Sequence, residues 1–182
     1  MYKYVNNINE LVHNIIKLHY SNCKIAVDAT LGNGYDTDFL STIFDKVYSF
    51  DIQKSSTDNY LSKKIDNVIV IHDSHIHLDL YIKEQIDVIT YNLGYLPGAS
   101  KEITTKCDST LESIKVALKL LVPGGILLAV MYPGHKEGKK ESDAILKFTG
   151  ELSKSEFGVM LHTFINREKA PQLVVIEKVL KL

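Results

Sequence analysis

Asp28, Gly32, Gly34 and Asp51 are the residues whose types and spacing first suggest chemistry. Residues 24 to 38, Lys-Ile-Ala-Val-Asp-Ala-Thr-Leu-Gly-Asn-Gly-Tyr-Asp-Thr-Asp, read as a short buried strand over Ile25 to Val27. A turn at Gly32-Asn33-Gly34 follows, then a helix opening at Asp36. Glycines let the backbone turn sharply and approach a ligand, and Asp36 and Thr37 favour a helix start. A dinucleotide fingerprint needs its first glycine directly after the strand and a third at position 37. Here Asp28 to Leu31 intervene and position 37 is Thr37. A Walker loop is excluded because no Gly-Lys-Ser/Thr follows. What remains is an acid at a strand end followed by Gly-x-Gly, the arrangement of nucleoside-type cofactor sites such as that for S-adenosylmethionine. The Asp28 carboxylate suits that ligand's ammonium and would repel a pyrophosphate. Asp51 closes the next strand about 20 residues past the glycine loop, where an acid holds the two hydroxyls of a ribose. Thr30, Asn33 and Gln53 complete the candidate set on these two strand tips. The same residues also fit an ordinary strand-turn-helix without a ligand, so further motifs must support the assignment.

Two more stretches supply them. His72-Asp73-Ser74-His75-Ile76-His77 follows strand three. Asp73 is placed there to accept a hydrogen bond from an adenine amino group, with Ser74 and His75 beside it in the pocket. Three imidazoles invite a metal reading, but no helical H-x-x-x-H and no nearby cysteine accompany them, so no metal is expected. His72 and His77 read as surface or packing residues. Asn92-Leu93-Gly94-Tyr95-Leu96-Pro97-Gly98 follows strand four, where open α/β sheets bind ligands beyond the strand carboxyl ends. Its position is similar to the Asn/Asp-Pro-Pro-Tyr motif of amino methyltransferases, with Leu93 and Gly94 in place of the prolines. Asn92 could then accept a hydrogen bond from an amine and aim its lone pair at a methyl group, and Tyr95 could stack on a flipped-out base. A plain turn is the alternative. His135, in Tyr132-Pro133-Gly134-His135, is a candidate helper in proton removal or a loop histidine. Lys136, Lys139 and Lys140, with Lys101, Lys106, Arg167 and Lys169, could form a local basic patch.

The elements that must position these residues follow from periodicity. Val5, Ile8, Leu11, Val12, Ile15 and Ile16 give an amphipathic helix over residues 5 to 20, which packs on the sheet. Strands are expected at 25–27, 46–52, 68–71, 86–91, 126–131, 157–165 and 172–179. Between them lie helices at 36–44, about 55–64, about 104–121 and 141–152. Strands alternate with helices through the fifth, which implies right-handed crossovers and a parallel, doubly wound sheet. The last two strands have no helix between them and form an antiparallel hairpin at the sheet edge. The fold expected is therefore α/β, Rossmann-like: a mostly parallel seven-stranded sheet with a C-terminal antiparallel hairpin and helices on both faces, the architecture of class I methyltransferases.

Composition bounds the rest. With 182 residues and 45% hydrophobic content, the chain reads as one domain over 1–182, its first 22 residues a helical segment packed on it. A formal net charge of -1 offers no global basic field, so any nucleic-acid contact must be local. Cys23 and Cys107 have no close spacing partner, which argues against a zinc knuckle, a redox pair or a disulfide framework. No signal peptide and no run of roughly 18 apolar residues stands out, so a cytoplasmic location without membrane contact is expected.

Taken in order, Asp28 to Thr37, Asp73-Ser74-His75, Asn92 to Gly98 and Met131-Tyr132-Pro133-Gly134-His135 make the chain resemble a bacterial family described as putative rRNA methylases, which includes the tRNA 5-(aminomethyl)-2-thiouridine methyltransferase. The resemblance covers nearly the whole chain. It implies N-methylation of the aminomethyl group on the tRNA wobble uridine with S-adenosylmethionine, a reaction for which Asn92, Tyr95 and His135 are the candidate catalytic residues by position and chemistry. The partners it implies are the tRNA anticodon arm and, as a further candidate, a second copy of the chain in a homodimer. The alternatives are a methyltransferase of rRNA or of a small-molecule amine, and a nucleoside-binding module without catalysis.

Overall fold

The computed structural model describes residues 5, 7–20, 24–94 and 107–180. Seven strands form one sheet in the order β3-β2-β1-β4-β5-β7-β6. They are β1 (Ile25–Asp28), β2 (Lys46–Asp51), β3 (Val68–His72), β4 (Ile86–Asn92), β5 (Leu121–Met131), β6 (Phe157–His162) and β7 (Gln172–Lys178). β1 to β5 pair in parallel, while β7 runs antiparallel between β5 and β6. The helices are α1 (Ile8–His19), α2 (Tyr35–Ser41), α3 (Lys54–Leu61), α4 (Leu78–Tyr81), α5 (Cys107–Leu120) and α6 (Lys136–Gly150).

The apolar runs of the central strands bury both sheet faces, as parallel strands flanked by crossover helices require. Successive residues of β5 show it. Leu127, Ala129 and Met131 join a core with Leu78, Ile114, Ala117 and Ile145 of α4, α5 and α6, whereas Ile126, Leu128 and Val130 join one with Ile8, Val12, Ile16 and Leu40 of α1 and α2. Ile16 is wholly buried, and such a side chain contributes about 1.5–3 kcal/mol. α1 starts at Asn7, whose side chain accepts the Asn9 N–H. Strand order reverses between β1 and β4, which opens a crevice at their carboxyl ends.

Several boundaries differ from the sequence expectation, and three of the differences bear on the site or on the sheet beside it. α6 begins at Lys136, five residues before 141, because His135 caps it: its Nδ1 accepts the Gly138 N–H at 3.1 Å. Gly138 is buried inside the helix against the Tyr132 carbonyl and the His135 ring, and a Cβ there would collide with both, so this glycine serves close packing and not a turn. The stretch after β3, read as a loop, coils into a 3-10 turn at His75–His77 and then α4. β5 starts at Leu121 and runs through Pro123-Gly124-Gly125, with a register shift opposite Ile86 to Val88 where a turn was expected. Among the described residues no helix is long and apolar enough to cross a membrane.

Candidate active site at the strand tips

The glycine loop is held by carboxylates. Gly32 and Gly34 have φ of 51° and 82°, left-handed conformations that a side chain would strain, and a Cβ on Gly34 would strike the Tyr60 ring. Asp51 receives one amide on each oxygen, Gly32 N–H at 2.8 Å and Gln53 N–H at 2.8 Å, so it ties the tip of β2 to the loop after β1. Asp28 does not face the crevice, which corrects the expected direct contact with an ammonium. The side chain has no exposed surface; Oδ1 accepts the Thr30 N–H at 3.0 Å and Oδ2 the Thr37 hydroxyl at 2.6 Å. Burial, and after it the charge of Asp36, pushes its carboxyl up to about 7. Thr37 and Gly34 likewise stand behind the loop. Asp36 is the acid that turns forward, with Oδ1 2.7 Å from His13 Nε2 of α1.

At β3 the Asp73 carboxylate is already engaged. It accepts the Ser74 N–H at 2.7 Å, the Tyr81 hydroxyl at 2.8 Å and a contact from His77 Nδ1 at 3.1 Å. Burial disfavours its ionised form, but these donors together outweigh burial and hold the carboxyl below its ordinary value. With three donors on about four acceptor positions, Asp73 braces the loop and still has an acceptor position in the crevice that it lines, where the adenine amine was expected. His75 is 91% buried, with Nδ1 unpartnered, and burial pushes its imidazole down to about 4, so the ring is neutral. Its carbonyl accepts the Ser113 hydroxyl, which pairs with the Tyr91 hydroxyl at 2.7 Å. His72 reaches the Ile52 carbonyl and His77 reaches Asp73, so the three histidines point to different partners.

Asn92 ends β4, and its N–H donates to Thr30 Oγ1 at 2.7 Å. Thr30 thus connects Asn92 to Asp28, since its own N–H donates to the Asp28 carboxylate. The Tyr132 hydroxyl, at the tip of β5, lies within reach of the Asn9 and Asn92 side chains. His135 lines the crevice, but its Nδ1 takes the Gly138 N–H, which leaves the hydrogen of the neutral ring on Nε2. A ring so fixed is a donor at Nε2, and the proton-accepting role expected of His135 would require breaking the α6 cap. Tyr95 lies outside the described residues, as do Lys101 and Lys106.

These tips enclose a cleft of about 1120 Å³. Of the expected residues, Thr30, Gly32, Asn33, Asp36, Asp51, Gln53, Asp73, Ser74, His75, Asn92 and His135 line it, while Asp28, Gly34 and Thr37 do not. Sequence reasoning missed Asn7, Asn9, Glu10 and His13 of the α1 end in the opposite wall; Tyr132 entered only as part of a motif, and Lys169, from the β6–β7 connection, only as part of a basic patch. The signal was there in Asn7, Glu10 and His13, polar residues three apart that run along α1 beside its apolar stripe.

The family described as "Putative rRNA methylase" matches residues 47–178. A "tRNA (mnm(5)s(2)U34)-methyltransferase, chloroplastic" of Arabidopsis thaliana is 34% identical in an alignment 170 positions long that covers 84% of this chain and 62% of that protein, so the chain spans under two thirds of that relative's length. The crystal structure of a "putative rRNA-methylase" from Clostridium thermocellum is similar with TM-score 0.91 and 34% identity, over 97% of this chain and 100% of that one. A "putative methyltransferase" from Streptococcus mutans in complex with SAH has TM-score 0.87 and 39% identity, over 96% of this chain and 99% of that one. With the family model matching residues 47–178, well over half of the chain, and these relatives at 34% to 39% identity, this chain belongs to the putative rRNA methylase family.

Proposed function

We propose that the protein is an S-adenosylmethionine-dependent methyltransferase that N-methylates the aminomethyl group of 5-aminomethyl-(2-thio)uridine at the wobble position of tRNA. The methyltransferase fold and the SAH-bound relative support the cofactor, and the Arabidopsis relative supports the target. The residues present fit such a cofactor. Asp51 offers a carboxylate at the ribose position, and Ile52, 55% exposed in the cleft wall, offers a flat apolar surface for a purine. Neutral His75 sits in the neighbouring wall, and Asp36 gives negative charge for an ammonium. When bound, the cofactor supplies an electrophilic methyl on a sulfonium.

The observation that carries the proposal is the position of Asn92. Its backbone is tied to the glycine loop through Thr30, so its amide stands at the seam between the cofactor walls and the α1 wall. About 1120 Å³ exceeds the roughly 300–1,000 Å³ typical of a single small-ligand site, leaving room for a nucleoside beside the cofactor. An alkyl amine is mostly protonated at neutral pH, to judge from a lysine reference of about 10.4. It must lose one proton before its lone pair attacks. The amide oxygen of Asn92 can hold one remaining N–H while the lone pair is aimed in line, so that orientation supplies much of the rate. Backbone phosphates of the anticodon arm would meet Lys169 and Lys136 at the rim. Lys139 and Lys140 are each paired, to Asp143 and Glu137, and are weaker candidates.

Mass spectrometry of tRNA nucleosides from cells lacking the gene tests the reaction: aminomethyl-uridine should accumulate, and purified protein with S-adenosylmethionine should convert it. Unchanged nucleosides would overturn the assignment. With that substrate, Asn92→Ala should slow single-turnover transfer at least about tenfold, roughly 1.4 kcal/mol, with cofactor affinity nearly unchanged.

A further inference from the structure

Asp28 is an acid in an acidic setting. Its two oxygens take one amide and one hydroxyl, and among the described residues no lysine, arginine or histidine pairs with it. The titratable groups around it come from every neighbouring element. α2 contributes Asp36 with its partner His13 of α1, β2 contributes Asp51, and α3 contributes Tyr60, whose hydroxyl is influenced by the Asp28 charge. β4, on the other side, presents Thr90, whose carbonyl takes the Ala29 N–H. Ionisation there gains nothing from a counter-charge within the protein, and burial opposes it.

The hydrogen bonds around Asp28 accommodate either protonation state. As a carboxylate it accepts the Thr37 hydroxyl. Once protonated it can donate to Thr37 Oγ1, because Thr37 can turn its own hydrogen toward the Ser49 hydroxyl, which it already touches. Each oxygen of the Asp28–Thr37–Ser49 chain keeps a hydrogen-bond partner in either state, although the Ser49 hydrogen gives up Thr37 when Asp28 is protonated, so the fold admits a proton at this position. Just beyond Asp28, Ala29 and Thr30 form the cleft wall.

We propose that Asp28 is a proton-linked specificity residue that favours the cationic methyl donor over its demethylated product. This rests on the reading of the cleft as an S-adenosylmethionine site. The donor carries a sulfonium, an ammonium and a carboxylate, net one positive charge; the product has a thioether in place of the sulfonium and no net charge. A net positive charge in front of Thr30 stabilises the ionised form, so donor binding releases the Asp28 proton to solvent. In the transfer itself the amine lone pair forms the C–N bond, the C–S electrons stay on sulfur, and the amine loses its proton to solvent. The positive charge passes from sulfur to the methylated amine and leaves the cleft with it; a solvent proton then returns to Asp28, and the wall no longer favours the thioether product that remains.

Calorimetry at pH 6.5 and 8.0, in buffers of different ionisation enthalpy, counts the protons. S-adenosylmethionine should release a measurable fraction of a proton at pH 6.5, and S-adenosylhomocysteine distinctly less. The ratio of product to donor Kd should rise about three- to tenfold over that range, as expected for a carboxyl shifted by a nearby unit charge. The sulfonium acidifies the donor's ammonium relative to the product's, so each ligand is first titrated without protein and its own protonation is subtracted before the ratio is taken. Asp28→Asn, whose amide can donate to Thr37 as the protonated acid does, should make the ratio independent of pH. The 13C shift of the Asp28 carboxyl, followed with pH in the unsubstituted protein with each ligand, gives the same answer if that variant fails to fold. Equal proton release by both ligands, or a carboxyl titration that donor and product shift alike, would overturn the proposal while leaving the cofactor assignment standing. If neither ligand binds, the cofactor reading and this proposal fall together.

Discussion

The two sides of the cleft are built by different means. On the cofactor side, the tips of β1, β2 and β3 are fixed by carboxylates that bind backbone amides: Asp28 to Thr30, Asp51 to Gly32 and Gln53, Asp73 to Ser74. On the opposite side, the α1 end, Tyr132, His135 and Lys169 converge from segments far apart in the chain, held by the packing of α1 on β5 and β7. A carboxylate that binds the backbone of its own loop fixes local shape before any ligand arrives. A wall assembled from distant elements takes its shape from tertiary packing and can vary while the cofactor side stays constant. Thr30 joins the two sides through the Asn92 N–H.

If the cofactor side is the rigid one, its buried titratable groups should govern how the protein tolerates acid. The imidazole of His75 is lowered to about 4 in the fold from an unfolded value of about 6.5. Its contribution to stability is then fully present above pH 6.5 and is lost as pH falls toward 4, by about 3 kcal/mol. Asp28 runs the other way: raised to about 7, it costs stability at neutral pH, and that cost is relieved as pH falls toward 4. His75→Phe keeps a ring against Tyr91 and removes the titration. Urea unfolding at pH 7 and pH 4.5 should show that this variant loses markedly less stability on acidification than the unsubstituted protein. Identical losses would mean that His75 is not held neutral by burial.

Asp51 sharpens the comparison next. The sequence assigned this strand-tip carboxylate to the hydroxyls of a ribose, and the structure also gives it two backbone amides. Asp51→Ala should therefore cost about 1–3 kcal/mol of stability as well as weaken S-adenosylmethionine binding at least about tenfold. Chemical denaturation and calorimetry on the same sample separate the two effects. Loss of binding without loss of stability would show that the amides find water easily and that the loop does not depend on Asp51.

The difference between the two sides also explains what could be read in advance. The sheet was legible because apolar strands alternate with amphipathic helices, and the glycine loop was legible because Gly32 and Gly34 stand where only glycine turns easily. The inward orientation of Asp28 was not, since strand periodicity tells that neighbours face opposite sides but not which acid the loop will fold over. The start of α6 was hidden by Gly134 and Gly138, which resemble turn signals, and by a histidine cap in place of the usual Ser, Thr, Asp or Asn. His13 against Asp36, 23 positions apart, and Lys169 beside Gly134 arise only when the chain closes on itself.

The weakest effect belongs to the most exposed part of the opposite wall. Lys169 holds a left-handed backbone with φ of 61°, and its carbonyl packs against Gly134, so its side chain stands at the cleft beside the start of α6. If it meets one phosphate of the anticodon arm, Lys169→Ala should reduce the slope of log affinity for tRNA against log salt by about 0.7 to 0.9, with single-turnover methyl transfer at saturating tRNA almost unchanged. Lys139→Ala should change the slope less, because Asp143 already neutralises that ammonium at 3.0 Å on both oxygens. S-adenosylmethionine affinity should be insensitive to both substitutions, as the cofactor side does not touch them. Should Lys139→Ala flatten the slope and Lys169→Ala leave it alone, the RNA would run along the outer face of α6, and the wall formed by Tyr132, His135 and Lys169 would face the target nucleoside without touching the backbone that carries it.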